Sequence, residues 1–175
     1  VPGPIASASR VVLARTSPGN DYQGMSLFVV PTQLPGVSVG KPLRKTCYPS
    51  SDTAEVIFEN VRVPKENLIG QEGLGFVYQM KQFQFERLAA STMALGGMKR
   101  CYELTKKYIT EREAFGKPLF KHQTVAHKMA QMASELALIE ALSFKCVGMA
   151  NEGVDFTNDV CMLKLTTAQT QQRLT

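Results

Sequence analysis

Near Gly70 the chain changes rhythm. Ahead of it, short β-rich runs are cut by glycine and proline; beyond it, after Gly73 and Gly75, no proline occurs until Pro118. Because proline removes a backbone donor and breaks helices, that proline-free stretch permits a long helix and the segment before it does not. Arg10 to Ala14 and Ser26 to Val30 read as strands joined across Ser17-Pro-Gly-Asn-Asp, a cluster of turn formers, so an antiparallel pair is expected. From Asp52 to Val63, Ala54, Val56 and Phe58 alternate with Glu55, Ile57 and Glu59, a period of two that predicts a strand with one buried face, closed by Pro64.

Past Gly75 the apolar residues Phe76, Met80, Phe83, Leu88, Leu95, Met98, Cys101, Leu104 and Tyr108 fall near i, i+3, i+4 spacing, which predicts one long helix or two in line. Gly96-Gly97 interrupts it, at about 1 kcal/mol per glycine relative to alanine, and marks either a close helix contact or a bend. A second helix is expected from about Leu119 to Ala150, ended by Asn151 and Gly153, and a third from Asp155 as N-cap. Their wide apolar faces call for partners that the chain only partly supplies. The fold class is therefore α+β, a partial antiparallel β domain followed by a partial up-and-down helical bundle.

Twenty Lys+Arg against fifteen Asp+Glu leave a formal charge of +5, spread along the chain, which suits a small anionic ligand at least as well as nucleic acid. Cys47, Cys101, Cys146 and Cys161 form no CxxC, and reduced thiols are expected. His122 and His127 would point to different sides of a helix, so no metal site is expected. No apolar run approaches the roughly 20 residues that cross a bilayer. The Val1-Pro-Gly-Pro start and the polar stretch Thr166 to Arg173 both read as cuts in a longer protein.

Several blocks then occur in a telling order. Asp52-Thr-Ala-Glu-Val-Ile-Phe-Glu-Asn-Val-Arg-Val-Pro-Lys-Glu-Asn-Leu-Ile-Gly70 resembles the passage from the middle β domain into the C-terminal helical domain of acyl-CoA dehydrogenases. Gly24-Met-Ser-Leu-Phe-Val-Val-Pro31, Gly73-x-Gly-Phe76, Glu86-Arg87, Arg112-Glu-Ala-Phe-Gly-Lys-Pro-Leu119 and His122-Gln123 resemble further blocks of that family, in the same order. The resemblance implies that residues 1–66 are the C-terminal half of the middle β domain and 67–175 the first part of the helical bundle domain. It also implies FAD as cofactor, an acyl-CoA substrate, an electron-transfer flavoprotein as acceptor, and a homo-oligomer, dimer or tetramer. The implied compartment is the mitochondrial matrix in a eukaryote and the cytoplasm otherwise.

The family reaction takes a proton from the α-carbon of the thioester while a hydride leaves the β-carbon, giving a trans-2-enoyl-CoA. An α-C–H is a poor acid, so the chemistry asks for donors at the thioester oxygen and for a carboxylate whose basicity an apolar setting raises. By residue type alone, a Glu beside an Arg on a helix is an ordinary solvated residue. The resemblance instead places Glu86 at the base position of the isovaleryl-CoA and long-chain branches, with Phe83, Phe85 and Leu88 as an apolar wall. It further implies that Gln84, Phe85 and Arg87 line the acyl-CoA site, and that Arg112, Glu113, Ala114, His122 and Gln123 reach the FAD of a neighbouring subunit. An arginine suits a pyrophosphate because its planar donors pair two oxygens at once. Phe115 is expected to pack rather than to touch the cofactor. Two rivals stand beside this reading: a related oxidase that passes electrons to oxygen, and a non-catalytic truncated or assembly module. Because only the cross-subunit part of the cofactor site is present, the isolated chain is expected to bind FAD weakly or not at all.

Overall fold

The computed structural model describes residues 9–19, 21–51 and 53–174. The Val1 to Pro4 start, Asn20 of the first turn, Asp52 and Thr175 lie outside them. The chain separates into two compact units that meet between Met80 and Lys81.

In the first unit, β1 (Ser9–Arg15) and β2 (Met25–Pro31) pair antiparallel over their full length, with Ser9 opposite Pro31 and Arg15 opposite Met25. The expected pair is present and one residue longer at each end. A third strand that periodicity does not reveal, β5 (Leu68–Ile69), joins the other edge of β2. Flanked on both sides, β2 is the most buried strand, and Leu27 and Val30 are core residues. Ser26 is fully buried beside them, and its hydroxyl lies 2.7 Å from that of Thr16 while accepting the Gly73 N–H at 2.9 Å. A buried hydroxyl partnered in this way escapes the penalty of an unmade hydrogen bond.

The strand expected over residues 52–63 is much shorter. Only β4 (Val56–Phe58) forms, paired with the equally short β3 (Val37–Val39). Beyond it the hydrogen bonds continue singly, from Gly40 N–H to Glu55 and from Leu43 N–H to Thr53. Ile57 and Phe58 are both exposed, so no buried face follows the alternation seen in the sequence.

Helix α1 (Gly75–Glu111) runs unbroken for 37 residues. A Cβ placed on Gly96 or Gly97 would meet nothing within 4 Å, so among the described residues the glycine pair marks no close contact. Gly75 is the opposite case: a Cβ there would stand 2.5 Å from the Ser26 carbonyl carbon and 2.6 Å from the Leu27 nitrogen. The start of α1 is thus laid against β2 at a distance only glycine allows.

In the second unit a tight 3-10 turn, Leu119–Lys121, and an extended His122 precede α2 (Gln123–Asn151), which delays the helix by four residues relative to its expected start. Gly153, at φ +69°, ends α2: its N–H reaches the Ala150 carbonyl while the Val154 N–H reaches that of Met149, the crossed pair of a glycine-terminated helix. Helix α3 (Thr157–Leu174) follows. The Asp155 carboxylate accepts both the Thr157 hydroxyl, at 2.6 Å, and its N–H, at 3.0 Å, and these bonds hold its pKa below the ordinary 3.8. Met98 of α1, Ile139 and Cys146 of α2, and Val160 and Leu163 of α3 share one core. Burial pushes the Cys146 thiol pKa up. Polar clips border this core. Lys99 bridges α1 to Glu140 of α2, and Lys145 and Glu135 of α2 pair with Asp159 and Arg173 of α3. Hydrogen bonds from Arg173 and Gln131 lower the Glu135 pKa, and the Asp159 hydrogen bond raises that of Lys145.

These two kinds of glycine give opposite expected outcomes. Gly96→Ala fills open space on a helix and is expected to raise stability by about 1 kcal/mol. Gly75→Ala drives a methyl into β2 and is expected to cost about 1–3 kcal/mol. Urea unfolding of the two variants beside the parent chain checks both signs.

Candidate functional site

Two clusters hold the residues singled out from sequence, one near the start of α1 and one just past its end. Glu86 is exposed on α1, and its carboxylate Oε1 accepts a 3.0 Å hydrogen bond from Nε2 of Gln82, one turn earlier. Neighbouring helix positions point about 100° apart, so Arg87 does not face Glu86. Its guanidinium donates to Oε1 of Gln84 at 3.2 Å and lies 5.9 Å from the centroid of the Phe83 ring. Phe85 is 57% exposed, with its inner edge against Phe156, ring centroids 5.4 Å apart and planes at 74°. Phe83 and Leu88 are half-buried. The apolar wall beside Glu86 is therefore partial, and the described residues of this chain do not enclose the carboxylate.

The second cluster is a hairpin. β6 (Glu113–Ala114) pairs with β7 (Lys117–Pro118), and the two-residue turn Phe115-Gly116 has both φ angles positive, at +54° and +77°. Two positive φ values define the tight turn whose twist suits a two-residue hairpin, a position usually given to Asn-Gly. The Arg112 carbonyl closes the hairpin by accepting the Leu119 N–H at 2.8 Å. Nε2 of His122 stands 3.1 Å from the Ala114 carbonyl, which can only accept, so Nε2 carries the proton. The His122 ring meets Phe115 edge to face at 6.0 Å. Phe115, expected to pack, is instead 97% exposed, because the turn aims it away from the helices. Arg112, Glu113 and Gln123 are exposed, and the Arg112 guanidinium and Gln123 amide have no protein partner among the described residues.

Glu86 and Arg112 stand at opposite ends of about seven helical turns, roughly 39 Å apart at 1.5 Å per residue. The structure thus gathers the expected cofactor residues at one place and the expected base and substrate residues at another. Gln82, Phe156 and the outward Phe115 escape a reading of motifs. An i, i+4 amide and carboxylate on a helix would have pointed to Gln82. Among the described residues no group of His, Cys, Asp and Glu could hold a metal, and no helix is long and apolar enough to cross a membrane.

Residues 73–175 match the model of the acyl-CoA dehydrogenase C-terminal domain. This chain belongs to the acyl-CoA dehydrogenase family. It is 34% identical over 163 residues to the mitochondrial short-chain specific acyl-CoA dehydrogenase of Rattus norvegicus, covering 93% of this chain and 40% of that protein. The acryloyl-CoA reductase (NADH) of Anaerotignum propionicum is 35% identical over 165 residues, covering 94% of this chain and 42% of that one. In the solved structure of an acyl-CoA dehydrogenase from Geobacillus kaustophilus, 34% identical, the likeness covers 97% of this chain and 45% of that one with a TM-score of 0.87. The chain spans less than half the length of these acyl-CoA dehydrogenase relatives.

A bulky aromatic in the left-handed region costs on the order of 1 kcal/mol, so Phe115→Asn is expected to stabilise the chain by about that amount in chemical denaturation.

Proposed function

We propose that this chain acts within an FAD-dependent acyl-CoA dehydrogenase, in which Glu86 takes the α-proton of an acyl-CoA thioester. The observation that carries the reading is a carboxylate which is exposed, hydrogen-bonded by a neutral amide and unpaired with the arginine beside it, in a block that resembles the family's early base position. A carboxylate not neutralised by a cation keeps its charge available for the proton. As the α C–H electrons become the new C=C bond, the hydride leaves the β-carbon. FAD, when bound, supplies the acceptor for that hydride. Gln84, Phe85 and Arg87 share the turn that carries Glu86 and would border the acyl-CoA. Closure around the carboxylate, which the described residues do not provide, would come from the substrate and from parts of the protein beyond this chain.

The donor set at the hairpin fits the phosphate side of the cofactor. Arg112 offers two parallel donors for a pyrophosphate, and Gln123 an amide. Glu113 and Ala114 form the strand that follows Arg112; His122, just before Gln123, pins that strand, and Phe115 offers a bare aromatic face. Their separation from Glu86 supports the reading that this hairpin serves the FAD of a second subunit, which makes a homo-oligomer part of the proposal. So are residues 1–66 as the later half of the middle β domain, residues 67–175 as the start of the bundle domain, and an electron-transfer flavoprotein as electron acceptor. The relative named as a reductase favours a second reading, in which the same carboxylate returns a proton to an enoyl-CoA; consumption of enoyl-CoA with a reduced nicotinamide donor would reveal it.

In the full-length protein, Glu86→Gln is expected to abolish anaerobic bleaching of the flavin by acyl-CoA while FAD stays bound, and retained bleaching would move the base elsewhere. The isolated chain is expected to retain little or no FAD after purification, whereas a stoichiometric flavin absorbance would contradict the cross-subunit site.

A further inference from the structure

Glu86 and Arg87 are adjacent in sequence and opposite in charge, yet a separate glutamine holds each. Gln82 donates to Oε1 of Glu86 at 3.0 Å, while Gln84 and the Phe83 ring hold the Arg87 guanidinium. Oε2 of Glu86 accepts no hydrogen bond among the described residues. One oxygen is thus tethered and the other is free to receive a proton. An amide donor suits this task. It fixes the rotation of the carboxyl group through a directional bond without the full positive charge of a lysine or arginine. The contact is weak while water competes for it and strengthens when a bound acyl chain displaces that water.

We propose that Gln82 is a positioning residue that orients the Glu86 carboxylate for proton abstraction, an inference that rests on Glu86 being the base. Gln82→Met keeps the length of the side chain and suits a helix but removes the donor, and Gln82→Lys restores one. In the FAD-loaded full-length protein, Gln82→Met is expected to slow anaerobic flavin reduction by acyl-CoA about tenfold, a modest share of what misplacing a reacting group costs. KM stays unchanged, while Gln82→Lys, which restores a donor but pairs the carboxylate with a cation and so weakens it as a base, stays slow. A readout independent of flavin is the side-chain amide signal of Gln82 in a ¹H–¹⁵N spectrum of the 175-residue chain, which is expected to move on Glu86→Gln. An unmoved amide signal, or a wild-type rate in Gln82→Met, overturns the positioning role. Flavin reduction that survives Glu86→Gln while the amide signal does move overturns the assignment of the base, and the positioning role with it, so the two failures are told apart.

Discussion

Burial of Met98, Ile139, Cys146, Val160 and Leu163 against one another is what the helical unit depends on. Each of these residues is at most 1% exposed, and they come from all three helices. Fully burying an aliphatic side chain is worth about 1.5–3 kcal/mol, far more than the exposed ion pairs at the edge of this core. The apolar residues therefore set how α1, α2 and α3 lie, and the pairs Lys99–Glu140, Lys145–Asp159 and Glu135–Arg173 follow where that packing brings their side chains together. Helix α1, held by this core through Leu95 and Met98, presents Glu86 near its start and leads into the hairpin after its end. Both candidate clusters inherit their positions from the same buried residues.

The parts of the fold legible in sequence are those in which one local rule acts over many residues. The helical period, the absence of proline up to Pro118 and the glycine at position 153 were enough for the three helices and the end of α2. The seven-residue strands β1 and β2 were legible because turn formers bracket them. Where elements are short, local rules lose their force. Two residues of β5 become a strand only because β2 has a free edge beside them, and two residues of β6 only because Phe115-Gly116 takes a tight turn. The alternation around Val56 predicts a longer strand than exists, since β3 offers only three residues to pair with, and Ile57 and Phe58 are both exposed. Gly96-Gly97 read as a contact or bend, yet α1 continues through both and a Cβ on either would meet nothing within 4 Å among the described residues.

The candidate site divides in the same way. Residue types and their order were enough to single out Glu86 and the Arg112 hairpin, since these lie in blocks that resemble the family. How the side chains are restrained was not legible, because it depends on rotamers: Arg87 turns to Gln84 rather than to its neighbour, and Phe115 faces outward rather than inward. The roughly 39 Å between the two clusters follows from helix geometry once α1 is known to be unbroken. That distance gives the cross-subunit reading its physical basis, because one compact active site cannot use both ends of the helix in a single subunit.

The central claim is that Glu86 is the group that meets the α-carbon. The most direct measurement is a crystal structure of the full-length protein with FAD and a non-oxidisable acyl-CoA analogue bound. The account predicts a Glu86 carboxylate oxygen at about 3–3.5 Å from the α-carbon, the separation of a reactive approach, with its other oxygen still held by Gln82. A different carboxylate at that distance, with Glu86 turned to solvent, would contradict it.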